Sequence, residues 1–164
     1  MTFRKIIFLF LALLLPAAVF VFLKLFGRNE FHVPVLLEQG NVAAPANCDF
    51  PYTTPYRVPD SVFTTLDKNQ GDSLYVFYFD LSLNTAMDRV TVEFGDAPVQ
   101  LVSPSRLPEN TNVRVLKECV LLMEPGISVA LVDHRNRIRG YYDGSDRDEV
   151  DRLIVEMKII LKQY

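Results

Sequence analysis

The chain has no tryptophan, two histidines (His32 and His134) and two cysteines (Cys48 and Cys119) in 164 residues. Each scarcity excludes something. Two cysteines cannot build a disulfide scaffold or a four-cysteine zinc site, and two histidines argue against a dense metal or haem cluster. Acidic side chains are missing before Glu30, whereas residues 29–164 hold 13 Lys and Arg against 20 Asp and Glu. The formal charge of −3 therefore hides a basic-flanked start and an acidic remainder. Such a remainder lacks the concentrated basic stripe that a nucleic-acid backbone requires, so nucleic acid is not an expected partner.

What is present at the start is an apolar run, IIFLFLALLLPAAVFVFL, over residues 6–23. Eighteen residues are near the minimum for a helix crossing a hydrocarbon core of about 30 Å. A cleaved secretory signal has a shorter apolar region ending at small residues. Pro16-Ala17-Ala18 supplies small residues here, but the run continues to Leu23 and closes at Lys24. An uncleaved anchor over residues 1–28 is favoured over a cleaved signal, with Lys24 snorkelling so that Leu25 and Phe26 extend the span. Two basic residues lie on each flank, Arg4 and Lys5 before and Lys24 and Arg28 after. The free amino terminus tips the bias toward a cytoplasmic N-terminus, and the rest would face the periplasm from a bacterial inner membrane.

Residues 29–59 read as a tether and entry arm. Half of the ten prolines fall there (Pro34, Pro45, Pro51, Pro55 and Pro59), each removing a backbone donor and disfavouring helix before it. Tyr52, Tyr56 and Val58 can pack on the domain that follows.

From Asp60 to the end the pattern becomes regular. LYVFYF (74–79) suits a strand buried on both faces. TAMDRVTVEF places Met87, Val90 and Phe94 at helical spacing and ends at Gly95, a residue suited to a left-handed position. VQLVS is a second strand. Residues 108–123 align Val113, Leu116, Val120 and Met123 on a helical stripe, although VRVLKECVLL also reads as strand. ISVALVD and IRGYYD form a hairpin around HRNR. A last helix opens with a capping pair, Ser145 and Asp148, and buries Val150, Leu153, Ile154, Met157, Ile160, Leu161 and Tyr164. The order strand, helix, strand, helix, strand, strand, helix gives a parallel pair plus an antiparallel hairpin. The expected class is α/β: a thioredoxin-like central mixed sheet flanked by helices over residues 60–164, with an N-terminal transmembrane helix.

The phrases VPDSVFTTLD, LYVFYFD, MDRVTVEFGDAPVQLVS and ALVDHRNRIRGYYDG resemble membrane-anchored Sco/SenC proteins, thioredoxin-fold factors that assist copper delivery to cytochrome c oxidase. The resemblance covers roughly residues 59–164. Proteins of that family carry two cysteines three residues apart after the first central strand, and a histidine further on that completes a copper site. Aligning VFYFDLSLNTAMDRV on that segment puts Ser82 and Ala86 at the cysteine positions, and neither supplies a thiolate. Val132-Asp133-His134 is similar to the tripeptide around the copper histidine, but the register that keeps both hairpin strands makes His134 an exposed turn residue.

The remaining candidates have structural and functional readings. Cys119 on a helical stripe suits a small buried hydrophobe; a Cys48–Cys119 bond is open to an oxidising compartment if geometry brings the two together. Met87, Met123 and Met157 fall on core stripes, favouring packing over copper ligation. Pro125-Gly126 is either a retained substrate edge, as the resemblance implies, or a helix stop and turn. Arg135, Arg137 and Arg139 alternate onto one hairpin face as a basic patch, which reads as a solvated face, the usual case, or as a contact for an acidic partner.

The reading is a membrane-anchored, Sco-like accessory or binding protein, tied by resemblance to copper and oxidase assembly, with no reaction assigned. Its partners are the membrane and an envelope or respiratory-assembly protein. One alternative is a thiol-disulfide or copper-handling protein using Cys48, Cys119 and His134. Another is a structural envelope protein without redox role.

Overall fold

A computed structural model describes residues 3–26, 32–39, 42, 45, 48–64, 66 and 74–162 of the chain. Two compact units divide it, residues 1–31 and 32–164. Much of the expected tether, from His32 on, thus belongs to the second unit. Residues 27–31 and Tyr164 lie outside the described residues.

The first unit contains one long helix, α1 (Phe3–Phe26, 24 residues), about 36 Å long at 1.5 Å per residue. Phe8, Phe10, Leu13, Leu14, Leu15, Phe20, Val21 and Leu23 are all exposed. At 100° per residue they point in every direction, so the helix has no polar face to turn to water. Among the described residues no helix is long and apolar enough to cross a membrane. The side chains at positions 6, 7, 9 and 11, which are Ile, Ile, Leu and Leu, lie outside that description. The unbroken run 6–23 is therefore a fact of the sequence.

The second unit is α/β. A four-stranded mixed sheet in the order β2-β1-β3-β4 is built from β1 (Leu74–Tyr78), β2 (Val99–Val102), β3 (Val129–Asp133) and β4 (Ile138–Tyr142). β1 runs parallel to β2 and antiparallel to β3, and β3 is antiparallel to β4. The crossover from β1 to β2 carries α3 (Asn84–Phe94), and α4 (Arg147–Leu161) follows β4. Every residue of β1 and β3 is buried, as a continuous apolar run covered on both faces requires.

Alternation along the strands divides the core into two layers. Leu74, Val76, Tyr78, Val129, Leu131 and Tyr142 meet Met87, Val90 and Phe94 of α3 and Leu153, Met157 and Ile160 of α4. These are the stripes expected from spacing. Tyr75, Phe77, Ala130, Val132 and Ile138 meet irregular pieces instead. That second cover consists of α2 (Asp60–Thr64) with Phe63, the arm residues Tyr56 and Val58, and a π-helix (Val115–Val120) with Leu116 and Val120.

Several local expectations are corrected. Gly95 has φ −53° and so sits in the right-handed region, because the chain continues its turn and Ala97 N–H donates to the Phe94 carbonyl. The N-cap of α4 is Asp146, whose side chain accepts from Asp148 N–H. Ser145 cannot cap there, since both its N–H and its hydroxyl donate to Asp143. Residues 108–112 are not helical; the turn starts where the Asn112 side chain accepts from Val115 N–H at 3.2 Å. It then widens into the π-helix, with Leu121 N–H reaching back to the Leu116 carbonyl.

Candidate functional site

Where β1 ends, Asp80 caps a short 3-10 turn (Leu81–Leu83) that leads into α3. Its Oδ1 accepts from Ser82 N–H at 2.8 Å. Hydrogen bonds from the Ser82 backbone and side chain hold the Asp80 carboxyl below its ordinary pKa against the opposing effect of desolvation, and the charge of Lys117 adds to the lowering. Ser82 is thus a capping partner of a carboxylate. Ala86, one helical turn on, is half-buried against the α3–α4 layer. These two positions line a cleft of about 600 Å³ together with Arg89, Gly144, Ser145 and Arg147. Gly144 forms part of its floor: a Cβ there would come within 2.7 Å of Leu83 and 2.9 Å of Val129.

His134 is at the opposite end of the sheet. Asp133 pairs with Leu74 at the start of β1, whereas Val129 pairs with Tyr78 at its end, and the five residues between span about 13 Å. The hairpin turn runs through His134, as the preferred register requires, but the side chain is half-buried and not exposed. His134 is not brought to Ser82 or Ala86.

The cysteines do meet. Cys48 and Cys119 form a disulfide across 71 residues with Cα atoms 5.5 Å apart. It lies where the π-helix ends and its last carbonyls lack helical partners. Tyrosine hydroxyls take that role. Tyr52 donates to the Cys119 carbonyl at 2.9 Å, Tyr56 to Val120 at 2.6 Å and Tyr141 to Leu121 at 2.7 Å. Burial pushes all three phenols up, Tyr56 further through Tyr52 and Tyr141 further through Tyr56 and Glu124, so they remain donors at neutral pH. Sequence reasoning found Tyr52 and Tyr56 as packing residues. The hydroxyl partners, 67 and 64 residues away, leave no local signal.

The expected basic patch is replaced by a buried ion cluster. β4 is bulged opposite Leu131 and Val132, and a bulge re-aims the side chain it carries. Arg139, 3% exposed, sends Nη1 to Asp133 Oδ2 at 3.1 Å and Nη2 to the Val33 carbonyl at 2.6 Å. Arg137 donates Nε to the same carboxylate at 2.8 Å. Of the three arginines, Arg135 is the exposed one.

A copper ion, which the family resemblance implies, does not fit these residues. Ser82 and Ala86 offer no thiolate, the two sulfurs are bonded to each other, and His134 is remote from the β1–α3 turn. Among the described residues no group of three His, Cys, Asp or Glu side chains is placed to hold a metal ion. Met87 and Met157 are buried in one core layer and Met123 in the other. Among the described residues the cis peptide is Thr54–Pro55; Pro125 and Gly126 make a turn, with Gly126 at φ +92°. Comparison with protein families, with curated proteins and with solved structures finds no match for this chain.

Proposed function

We propose that the protein is a membrane-anchored, thioredoxin-like accessory factor that binds a partner and is related to the Sco/SenC proteins of copper and cytochrome c oxidase assembly. The observation that carries this reading is the β1–α3 turn. By the resemblance it corresponds to the segment that carries a reactive thiol pair in that family, and here it presents a capped serine and an alanine at the rim of an open cleft. The sheet order β2-β1-β3-β4, with β1 and β2 parallel and β3 antiparallel to both of its neighbours, supports the thioredoxin-like assignment. Fold alone does not give function, so the pathway rests on the resemblance.

The anchor reading is supported by the apolar run 6–23 and by the exposure of α1 on all sides. A polar-faced helix could lie in the interface plane; this one requires an apolar environment all round. A disulfide in the folded unit suits an oxidising compartment, in keeping with a periplasmic domain on a bacterial inner membrane.

Purification of the tagged full-length protein from native membranes tests the reading. Co-purification of oxidase-assembly proteins is expected, and their consistent absence would leave the structural envelope role. A thiol-disulfide or copper-handling role is favoured by one observation, the juxtaposition of Cys48 and Cys119. Stoichiometric Cu(I) binding by the reduced protein, lost in Cys119→Ser, would establish that role and overturn the accessory reading.

A further inference from the structure

The arm that carries Cys48 is held at a neck and, separately, at the crosslink. Leu37 accepts a hydrogen bond from Tyr56 N–H at 3.1 Å, so the ends of the segment 38–55 meet. Both sides of that neck are fixed to the β3–β4 hairpin, Leu36 N–H to the Ile138 carbonyl at 2.9 Å and Val58 N–H to the Asn136 carbonyl at 2.9 Å. The body of the loop is pinned at a different place. Cys48 is bonded to Cys119, and Tyr52 donates to the carbonyl of the same residue.

The loop forms one wall of a cleft of about 820 Å³. Val42 and Pro45 line it together with Leu122, Met123, Ile127 and Tyr141, and Lys117, Glu118 and Glu124 bring charge to it. The segment 122–127 in that lining is irregular backbone. It follows a π-helix, a form concentrated at functional sites, and contains Leu122 at φ +54°. A branched residue holds that left-handed conformation only where its surroundings impose it. The crosslink and the tyrosine hydroxyls supply such surroundings.

We propose that the Cys48–Cys119 disulfide is a redox-operated latch, whose reduction frees residues 48–55 from the π-helix end and opens the cleft while the neck and the sheet stay closed. The reductant is a dithiol. Its thiolate attacks the sulfur of Cys48, which is half-buried while Cys119 is buried. The sulfur–sulfur bond breaks, and Cys119 leaves as a thiolate that takes up a proton. The second thiol of the reductant then displaces Cys48, which is protonated in turn. Two electrons and two protons pass to the protein, and the reductant ends as a disulfide. This inference uses only the second unit and does not depend on a relation to Sco/SenC proteins.

The test is hydrogen exchange by mass spectrometry on the full-length chain in detergent, oxidised and after dithiothreitol, with thiols counted by maleimide labelling without denaturant. Two labels per reduced chain are expected, with protection lost in 48–55 and 115–127, retained in β1 to β4, and recovered on reoxidation. Loss of protection in the strands together with the loop would overturn the latch and leave a staple of the whole fold. Unchanged loop protection in a doubly labelled chain would also overturn it, as would failure of dithiothreitol to expose two thiols. A Cys48→Ser/Cys119→Ser variant should show the open pattern without reductant. If that variant does not fold, the reduced wild-type chain still decides the matter.

Discussion

The two faces of the sheet are covered by different means. One meets α3 and α4, whose apolar stripes recur at helical spacing and whose outer surfaces are joined by exposed ion pairs, Arg89 with Asp151 and Lys158 with Glu93. The other meets a five-residue helix, a π-helix and an arm that has no helix or strand among its described residues before Asp60. Irregular backbone must find partners elsewhere. On that face it finds three tyrosine hydroxyls, and a disulfide and a buried carboxylate with two arginines secure the same arm. Regular helices satisfy their own backbone and need only apolar contact, whereas an irregular cover depends on individual polar atoms. The consequence is an asymmetry in mutational sensitivity.

The largest effect is expected at Asp133. It is fully buried, and Arg135 N–H and Arg137 N–H donate to its Oδ1 while Arg137 and Arg139 share its Oδ2. Asp133→Asn keeps the shape but leaves the buried Arg139 guanidinium without a counter-charge, a loss of about 3–5 kcal/mol. Urea unfolding of the full-length chain should show it, and a loss below about 1 kcal/mol would remove the ion cluster from the comparison. The pH dependence has a definite sign. Burial alone would raise the Asp133 pKa, but the hydrogen bonds from Arg137 and Arg139 outweigh it and hold the carboxyl below its ordinary value. Its contribution is therefore complete above the unfolded value of about 4 and is lost as pH falls through the lower folded value.

The same contrast explains how much was legible in the sequence. The helical face could be read because burial there follows a period: Met87, Val90 and Phe94, then Val150, Leu153, Met157 and Ile160, are buried at the expected spacing. The strands could be read because β1 and β3 are unbroken apolar runs. The hydrophobic members of the irregular face, Tyr56, Val58, Leu116, Val120 and Met123, were also visible. Its polar chemistry was not. Alternation of Arg135, Arg137 and Arg139 suggested a surface patch, and one bulged residue redirected Arg139 inward. The cysteine pairing depended on contact across 71 positions, which no local pattern encodes. At the candidate site Ser82 and Ala86 were placed by resemblance, while the capping of Ser82 N–H by Asp80 depends on the turn the chain makes at the end of β1.

A smaller but sharper probe is Tyr56→Phe. The ring keeps its packing, and only the hydroxyl that donates to the Val120 carbonyl is removed. Because that carbonyl is at the end of the π-helix and the bond is buried, about 1–3 kcal/mol should be lost. Exchange protection should fall first around residues 119–123. A uniform loss over the whole unit would mean that the two faces unfold as one.

The smallest effect belongs to the regular face, which makes it the control. Arg89 and Asp151 are paired across α3 and α4, yet the two side chains are 43% and 48% exposed. A pair this accessible to water and salt contributes about 0–1 kcal/mol. Arg89→Ala should accordingly shift the urea midpoint little, and less still in high salt, where the pair is already screened. The substitution also removes a charge from the rim of the cleft beside Ser82 and Ala86. It therefore separates stability from binding: if the proposed partner is recovered with the wild type, an Arg89→Ala chain that unfolds like the wild type but no longer retains it places the docking contact at that cleft. A loss of several kcal/mol would instead show that exposed charge holds the helical face as firmly as buried charge holds the irregular one, and the contrast between them would fail.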